Sequence, residues 1–378
     1  MVFAHTARRG RAEAVITRRR GSATFADVKN RAMTDAADAS RYARQTAFPG
    51  VGKAGQERLL KARVAVVGAG ALGAASCEQL VRSGVGFTRV IDRDVLEESN
   101  LGRQALYTAD DAARRLPKAV ALAAHLRRFN PGVVVDPICG DLSAENAREL
   151  FDDVDLIVDG TDNFETRYLV NDYAVMRGIP WLYGACVAAR GLSAVVLPGE
   201  TPCLRCLYPD PPPAGSSETC ETAGILAPAA HVVASLQVAE ALKILVGATA
   251  AVRRAWVSIE LWPFRIAEFG GDAPAPADDC PCCGRREFPF LDGASQPRTV
   301  RYCGRDAVQV IPARRADVDL AALAARLSAA GAVERNEFLV VLTAPPHVVT
   351  VFADGRALIK GVKDAAHARA LYDRYVGS

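Results

Sequence analysis

The chain has 378 residues, half of them apolar and 24% charged. That is length for two or three domains and a composition too ordinary for wholesale disorder or a fibrous repeat. The net charge of +3 is unevenly placed: residues 1–33 carry eight Lys/Arg against two acids, which leaves a slightly acidic body. A body without a basic stripe argues against nucleic acid as the main partner.

Residues 1–39 read as a basic, disordered extension without the unbroken apolar core of a secretory signal, and the cytoplasm is the expected compartment. Ten cysteines in so long a chain, several at paired spacing, point to metal or thiol chemistry rather than a disulfide scaffold. The segment Ser40 to Lys61 reads as polar helix with a turn at Pro49-Gly50. Arg63 to Val67 is a short buried strand, Gly68 to Gly73 a glycine turn, Ala74 to Arg82 a helix, and Phe87 to Ile91 a strand ending in Asp92. Strand, glycine turn, helix and strand make a βαβ unit.

Pro117 opens a helix that runs through Phe129 and is closed by Asn130-Pro131. Val133 to Ile138 and Asp155 to Asp159 are further strands, and the alternation predicts a doubly wound, mostly parallel, Rossmann-like α/β sheet. Pro180 to Pro198 is strand-rich, and the proline-laden Tyr208 to Ser217 is a long loop. The longest apolar stretch, Gly224 to Gly247, is broken by His231, Ser235, Gln237, Glu240 and Lys243 at helical spacing. It predicts a core helix over Pro228 to Val246, and no membrane span is expected. A linker from Gly270 to Asp279 precedes the second cysteine cluster. Residues 40–293 therefore form one domain, and 298–378, with strands, a helix at Leu320 to Ala329, more strands and a last helix, form a separate two-layer α/β module.

Gly68-Ala-Gly70-Ala-Leu-Gly73 fits G-x-G-x-x-G between strand and helix, where glycines let backbone N–H groups approach phosphate. Asp92, at the end of the next strand, is placed to accept from ribose hydroxyls. Cys203-Leu-Arg-Cys206 and Cys280-Pro-Cys-Cys283 are two knuckles that suit one closed zinc site with four sulfurs. Cys282 competes with Cys283 for the fourth position; the x-x spacing favours Cys283. Asn100 and Arg103 in Ser99-Asn-Leu-Gly-Arg-Gln104, Lys118 and Asp162 form a set with two cations, an amide and a carboxylate, suited to a polyphosphate and Mg²⁺. Taken singly, Lys118 also reads as a solvated helix residue and Asp162 as the N-cap of the helix beginning near Phe164.

Together with Arg41-Tyr-Ala-Arg-Gln45, Asp94, Gly160-Thr-Asp-Asn163 and Cys220-Glu-Thr-Ala-Gly224, these motifs resemble the ThiF/MoeB/HesA adenylyltransferases in order over roughly Ser40 to Gly284. The resemblance implies a homodimer that uses ATP and Mg²⁺ to adenylate the C-terminal glycine of a ubiquitin-like sulfur carrier ending in Gly-Gly. It implies that Asp92 holds the ribose, that Asn100, Arg103 and Lys118 bind phosphates, that Asp162 holds magnesium, and that Arg44 reaches the neighbouring protomer's phosphates. Gly68, Gly70, Gly73, Asp94 and Asn163 complete the nucleotide site, and Cys220 matches a cysteine that links covalently to the carrier in some members.

Two other readings stand beside it: an NAD-dependent oxidoreductase, resting on the glycine turn and Asp92 alone, and an inactive nucleotide-binding scaffold that docks carriers. The C-terminal module holds a single cysteine, Cys303, on a predicted strand, so no sulfurtransferase activity is expected of it.

Overall fold

The structure is a computed structural model, and it describes residues 40–212, 218, 222–271, 277–292, 299–301, 307–312, 317–362 and 364–377. The basic extension, Cys220, Cys303, the boundary at 293–297 and parts of the proline-rich loop and the Ala/Pro linker lie outside the described residues.

Two short helices, α1 (Ala43–Thr46) and α2 (Gly52–Lys61), flank the turn at Pro49-Gly50 and lead into β1 (Arg63–Val67). The nucleotide-binding half continues as α3 (Ala71–Arg82), β2 (Phe87–Asp92), α4 (Ala109–Ala113), α5 (Lys118–Phe129), β3 (Val134–Cys139), α6 (Ala147–Phe151), β4 (Leu156–Asp159) and α7 (Phe164–Arg177). Then follow β5 (Trp181–Val187), β6 (Arg190–Val196), α8 (Leu204–Leu207), α9 (Ala227–Val246), β7 (Trp256–Leu261) and β8 (Phe264–Phe269). The sheet order is β3-β2-β1-β4-β5-β6-β7-β8; β3 through β5 are parallel and the last three strands antiparallel.

Strand β1 shows why both faces are covered. Val64 and Val66 enter the core that faces α3, α5 and α9, whereas Ala65 and Val67 enter the core that faces α6 and α7. Successive side chains on a strand point to opposite faces, so a strand apolar at every position needs helices on both sides. The mostly parallel α/β sheet is therefore the one expected. Strands β7 and β8 are not foreseen in the sequence, because β8 is exposed along its whole length and lacks the in–out alternation that betrays a half-buried strand.

Helix α9 is long and apolar enough to cross a membrane by composition alone. Yet Gln237 and Glu240 are buried on it, and Gln237 Nε2 donates to the Asp159 and Leu182 carbonyls at 2.8 and 3.0 Å. Polar groups so placed bind this helix to the sheet, and Gly247, left-handed at φ 81°, ends it as expected.

The C-terminal part is a six-stranded antiparallel sheet made of β9 (Thr299–Arg301), β10 (Ala307–Val310), β11 (Ala332–Arg335), β12 (Leu339–Ala344), β13 (His347–Phe352) and β14 (Ala357–Lys360), in the order β11-β12-β13-β14-β10-β9. Helices α10 (Leu320–Leu327) and α11 (Ala365–Tyr375) cover one face.

Candidate nucleotide crevice and cysteine tetrad

The strand order turns back between β1 and β4: β2 lies on one side of β1 and β4 on the other. In open α/β sheets such a switch point opens a crevice beyond the carboxyl ends of the strands. The glycine turn, Asp92, Lys118 and the Gly160–Asn163 segment all meet there.

The turn is built by close backbone approach. A Cβ on Gly73 would lie 1.9 Å from the Gly68 carbonyl oxygen, one on Gly68 2.5 Å from the Gly160 carbonyl oxygen, and one on Gly160 2.7 Å from the Gly73 Cα. Three glycines are thus required by packing, and Gly68 also sits at φ 91°. Gly70 differs: its virtual Cβ meets nothing closer than Gln104 Nε2 at 4.0 Å. Gly70 is also the N-cap of α3, which starts at Ala71, three residues earlier than the sequence suggests, so the turn's last glycine already lies within the helix.

Asp92 accepts from the Ala69 N–H at 2.6 Å and the Asp94 N–H at 2.7 Å. Burial pushes its carboxyl above the ordinary value, against the opposing pull of the Lys118 cation. Lys118, 4% exposed, donates from Nζ to Asp94 Oδ2 at 3.0 Å, and its backbone N–H donates to the Asp94 carbonyl. The reading of Lys118 as a solvated helix residue is therefore wrong: the β2 exit loop pairs with residues 116–118 and carries the lysine inward.

The Ser99–Gln104 segment lies over Gly70. Asn100 is 1% exposed and Gln104 5%, yet Asn100 Nδ2 and Gln104 Oε1 have no hydrogen-bond partner among the described residues. A buried donor and a buried acceptor left unmet are costly, and a polar ligand in the crevice would meet them. Arg103 is half-buried and donates to the Ser99 carbonyl at 2.7 Å.

On the β4 side, Asn163 rather than Asp162 caps α7, its Oδ1 accepting from the Thr166 N–H at 2.9 Å. Asp162 is exposed. Buried Arg167 ties the segment down, donating to Asp159 Oδ2 at 3.0 Å, the Thr161 carbonyl at 2.7 Å and the Gly184 carbonyl at 3.0 Å. Sequence reasoning misses this residue, since an arginine on a helix carries no sign of burial. It also passes over Gln104, inside a motif it quotes, and Tyr107, whose hydroxyl donates to the Ala69 carbonyl at 2.7 Å.

Arg44 is exposed on α1, away from this crevice. Its neighbour Gln45 donates to the Ser83 carbonyl at 2.9 Å, at the C-terminal end of α3, whose N-terminal end is the glycine turn. The 12 residues of α3 separate the two ends by about 18 Å.

The second feature is the tetrad Cys203, Cys206, Cys280 and Cys283, whose sulfurs all lie within 4.8 Å of one another. The close contacts are Cys203–Cys280 at 3.7 Å, Cys203–Cys206 at 3.9 Å and Cys206–Cys283 at 3.3 Å. Sulfurs about 2.3 Å from a tetrahedral zinc stand nearly 3.8 Å apart, so the donor set and its spacing fit that ion. The Cys282 sulfur instead accepts from Asn171 Nδ2 at 3.2 Å and is not part of the tetrad. Because the Leu204 N–H also donates to Asn171, midway along α7, the tetrad stands apart from the crevice at the start of that helix.

A glycine turn at the switch point, with an acid at the end of β2 and a buried lysine near it, makes this a Rossmann-like α/β protein. The profile of the ThiF family matches residues 42–282, and the chain belongs to that family. It is 46% identical over 339 residues to a sulfur carrier protein ThiS adenylyltransferase of Bacillus subtilis, covering 89% of this chain and 99% of the relative. A match of that length extends into the C-terminal sheet. It is also 48% identical over 212 residues to a sulfur carrier protein adenylyltransferase of Thermus thermophilus, covering 55% of this chain and 78% of the relative. Among solved structures, Escherichia coli MccB with ATP superposes with a TM-score of 0.55 at 22% identity, over 65% of this chain and 74% of that one, a likeness of fold.

Proposed function

We propose that this protein uses ATP to adenylate the C-terminal glycine carboxylate of a ubiquitin-like sulfur carrier ending in Gly-Gly, releasing pyrophosphate, as a step towards a thiocarboxylate. The observation that carries the reading is the buried Lys118 set against Asp92 and Asp94 at the glycine turn, together with the unmet Asn100 Nδ2. The chain's similarity to adenylyltransferases of sulfur carriers supports it.

Attack of a carboxylate oxygen on the α-phosphorus forms a C–O–P anhydride and breaks the bond to the β-phosphate, so two anions must be held in line. In this reading the glycine turn, with Gly68, Gly70 and Gly73, admits the phosphates, and Asp92 and Asp94 position the ribose and the lysine. Asn100, Arg103 and Lys118 hold the phosphates as charge moves to the leaving pyrophosphate. Asp162, an exposed carboxylate at the strand end near Asn163, offers the hard oxygen donor that Mg²⁺ prefers; the ion would neutralise phosphate charge. The cysteine tetrad would hold a structural Zn²⁺ that ties the α8 segment to residues 280–283.

We place Arg44 in the crevice of a second protomer, Cys220 as a thiol that links to the carrier, and the protein in the cytoplasm. An oxidoreductase reading leaves Lys118, Arg103 and Asp162 without work, and the same residues argue against an inactive scaffold. The test is carrier-dependent exchange of labelled pyrophosphate into ATP by the purified protein with Mg²⁺; absence of exchange with the carriers encoded beside it, or nicotinamide turnover instead, would refute the assignment. A reducible carrier adduct that persists in Cys220→Ser would remove that cysteine's role.

A further inference from the structure

The C-terminal sheet leaves one face uncovered by its own helices, and that face lies on the loops that leave β2 and β3 at the crevice. Ala307, Leu339, Val341, Phe352 and Leu358 form an apolar cluster there, and Val95, from the β2 exit loop, packs into it. Polar contacts surround this apolar one. Arg356, 1% exposed, donates to the Arg93 carbonyl at 3.3 Å and the Cys139 carbonyl at 3.4 Å. These are the first residue beyond β2 and the last residue of β3. Its guanidinium also stands 3.7 Å from Asp141, which accepts from Arg93 at 2.9 Å and from Gln309. Lys360 Nζ donates to Glu97 Oε1 at 2.6 Å.

The contacts to Val95 and Glu97 are one step from the crevice. Val95 forms a bridge with Pro117, the Leu96 N–H donates to the Leu116 carbonyl, and the Lys118 N–H donates to the Asp94 carbonyl. The loop that Val95 anchors is thus the loop that sets Lys118. Glu97, held by Lys360, donates its backbone N–H to Asn100 Oδ1 at 3.1 Å. That bond aims the Asn100 amide, whose Nδ2 lacks a partner.

We propose that the C-terminal sheet is a positioning element for the nucleotide: through Val95, Arg356 and Lys360 it fixes the Asp92–Asn100 loop, so that the affinity for ATP depends on a module outside the nucleotide-binding sheet. The inference rests on reading the crevice as an ATP site. Pre-ordering a binding loop lowers the entropy that the ligand must otherwise overcome, so loosening the loop weakens nucleotide binding more than it weakens the fold.

The test uses the full chain and measures Mg-ATP binding by calorimetry, with the KM values for ATP and carrier from pyrophosphate exchange. Lys360 is partly exposed, so its substitution leaves folding nearly unchanged. Lys360→Ala is expected to weaken ATP about threefold and Lys360→Glu about tenfold. The KM for carrier should stay constant and Tm should fall by no more than about 2 °C. Lys360→Arg, which keeps the ion pair with Glu97, should bind ATP like wild type, a rescue that a general structural defect at this position would not show. Arg356→Lys, which keeps the charge but loses the fork that spans two carbonyls, should raise the KM for ATP selectively. Wild-type protein that binds ATP while Lys360→Glu and Arg356→Lys bind it equally well overturns this inference alone. Wild-type protein that binds no ATP overturns the reading of the crevice and this inference with it.

Discussion

Asn163 Oδ1 accepts the Thr166 N–H at 2.9 Å, so of two adjacent polar residues after β4 it is Asn163 that caps α7, while Asp162 stays exposed beside the crevice. The two should separate cleanly. Asn163→Ala removes a cap worth about 1 kcal/mol and should lower Tm with partial loss of exchange activity. Asp162→Ala should leave Tm unchanged and lower pyrophosphate exchange by about a hundredfold or more through loss of a metal ligand. Full exchange activity in Asp162→Ala would remove magnesium from that residue.

Gly70 and Gly73 should also part company. A methyl at Gly73 meets the Gly68 carbonyl at 1.9 Å, an overlap between backbone atoms that no rotamer relieves, and Gly73→Ala should cost about 3 kcal/mol or more. Gly70, at φ −77° with no neighbour closer than 4.0 Å, tolerates alanine in the fold. Gly70→Ala should melt like wild type and bind ATP more weakly, because the added methyl stands where the phosphates approach the helix N-terminus. Chemical denaturation and nucleotide titration of the two variants read this directly; equal stabilities would contradict it.

The tetrad predicts one zinc per chain by elemental analysis. Cys283→Ser should lose the metal and Cys282→Ser should keep it, since the Cys282 sulfur is engaged with Asn171. The opposite pattern would reassign the fourth ligand. Chelation should destabilise the fold, as metal binding contributes folding free energy.

Acid sensitivity should come in part from the opposite end of the sheet. Burial alone would raise the carboxyl of half-buried Asp153, but hydrogen bonds from Arg89 and the charge of Arg63 more than offset it and hold the group below its ordinary value. A depressed folded-state pKa gives stability that is present above the unfolded value and lost as pH falls through the folded one. Asp153→Asn should therefore cost about 3 kcal/mol at neutral pH, and the difference from wild type should shrink as the pH falls below 4. A constant difference down to pH 2 would assign the effect to packing.

Arg44 should act across a dimer. Its neighbour Gln45 contacts Ser83 at the far end of α3, about 18 Å along that helix from the glycine turn. Arg44→Ala and Asp162→Ala, each inactive alone, should regain activity when mixed, because half of the heterodimer's sites are intact. Continued inactivity after verified subunit exchange would place Arg44 in its own crevice or outside the chemistry.

Much of this was written locally. The βαβ unit, the glycine turn, Asp92, the proline at the start of α5 and the glycine at the end of α9 follow from rules that act within a few residues, where sterics and hydrogen-bond periodicity decide. The two cysteine knuckles are likewise legible, because the two ligands of each pair are neighbours along the chain. Other features were decided only by the tertiary structure. Which of Cys282 and Cys283 faces the tetrad depends on Asn171, more than a hundred residues away. Lys118 is buried because the β2 exit loop folds against it, and Arg167 because three acceptors, two at the end of β4 and one on β5, converge on it. Strand β8 has no burial pattern to read, since its pairing with β7 rests on backbone hydrogen bonds that any sequence can make. The contact of Arg356 with the ends of β2 and β3 joins residues more than two hundred positions apart. Local sequence carries dihedral and periodic preference; the company that a buried charge keeps is set by whatever distant backbone arrives beside it.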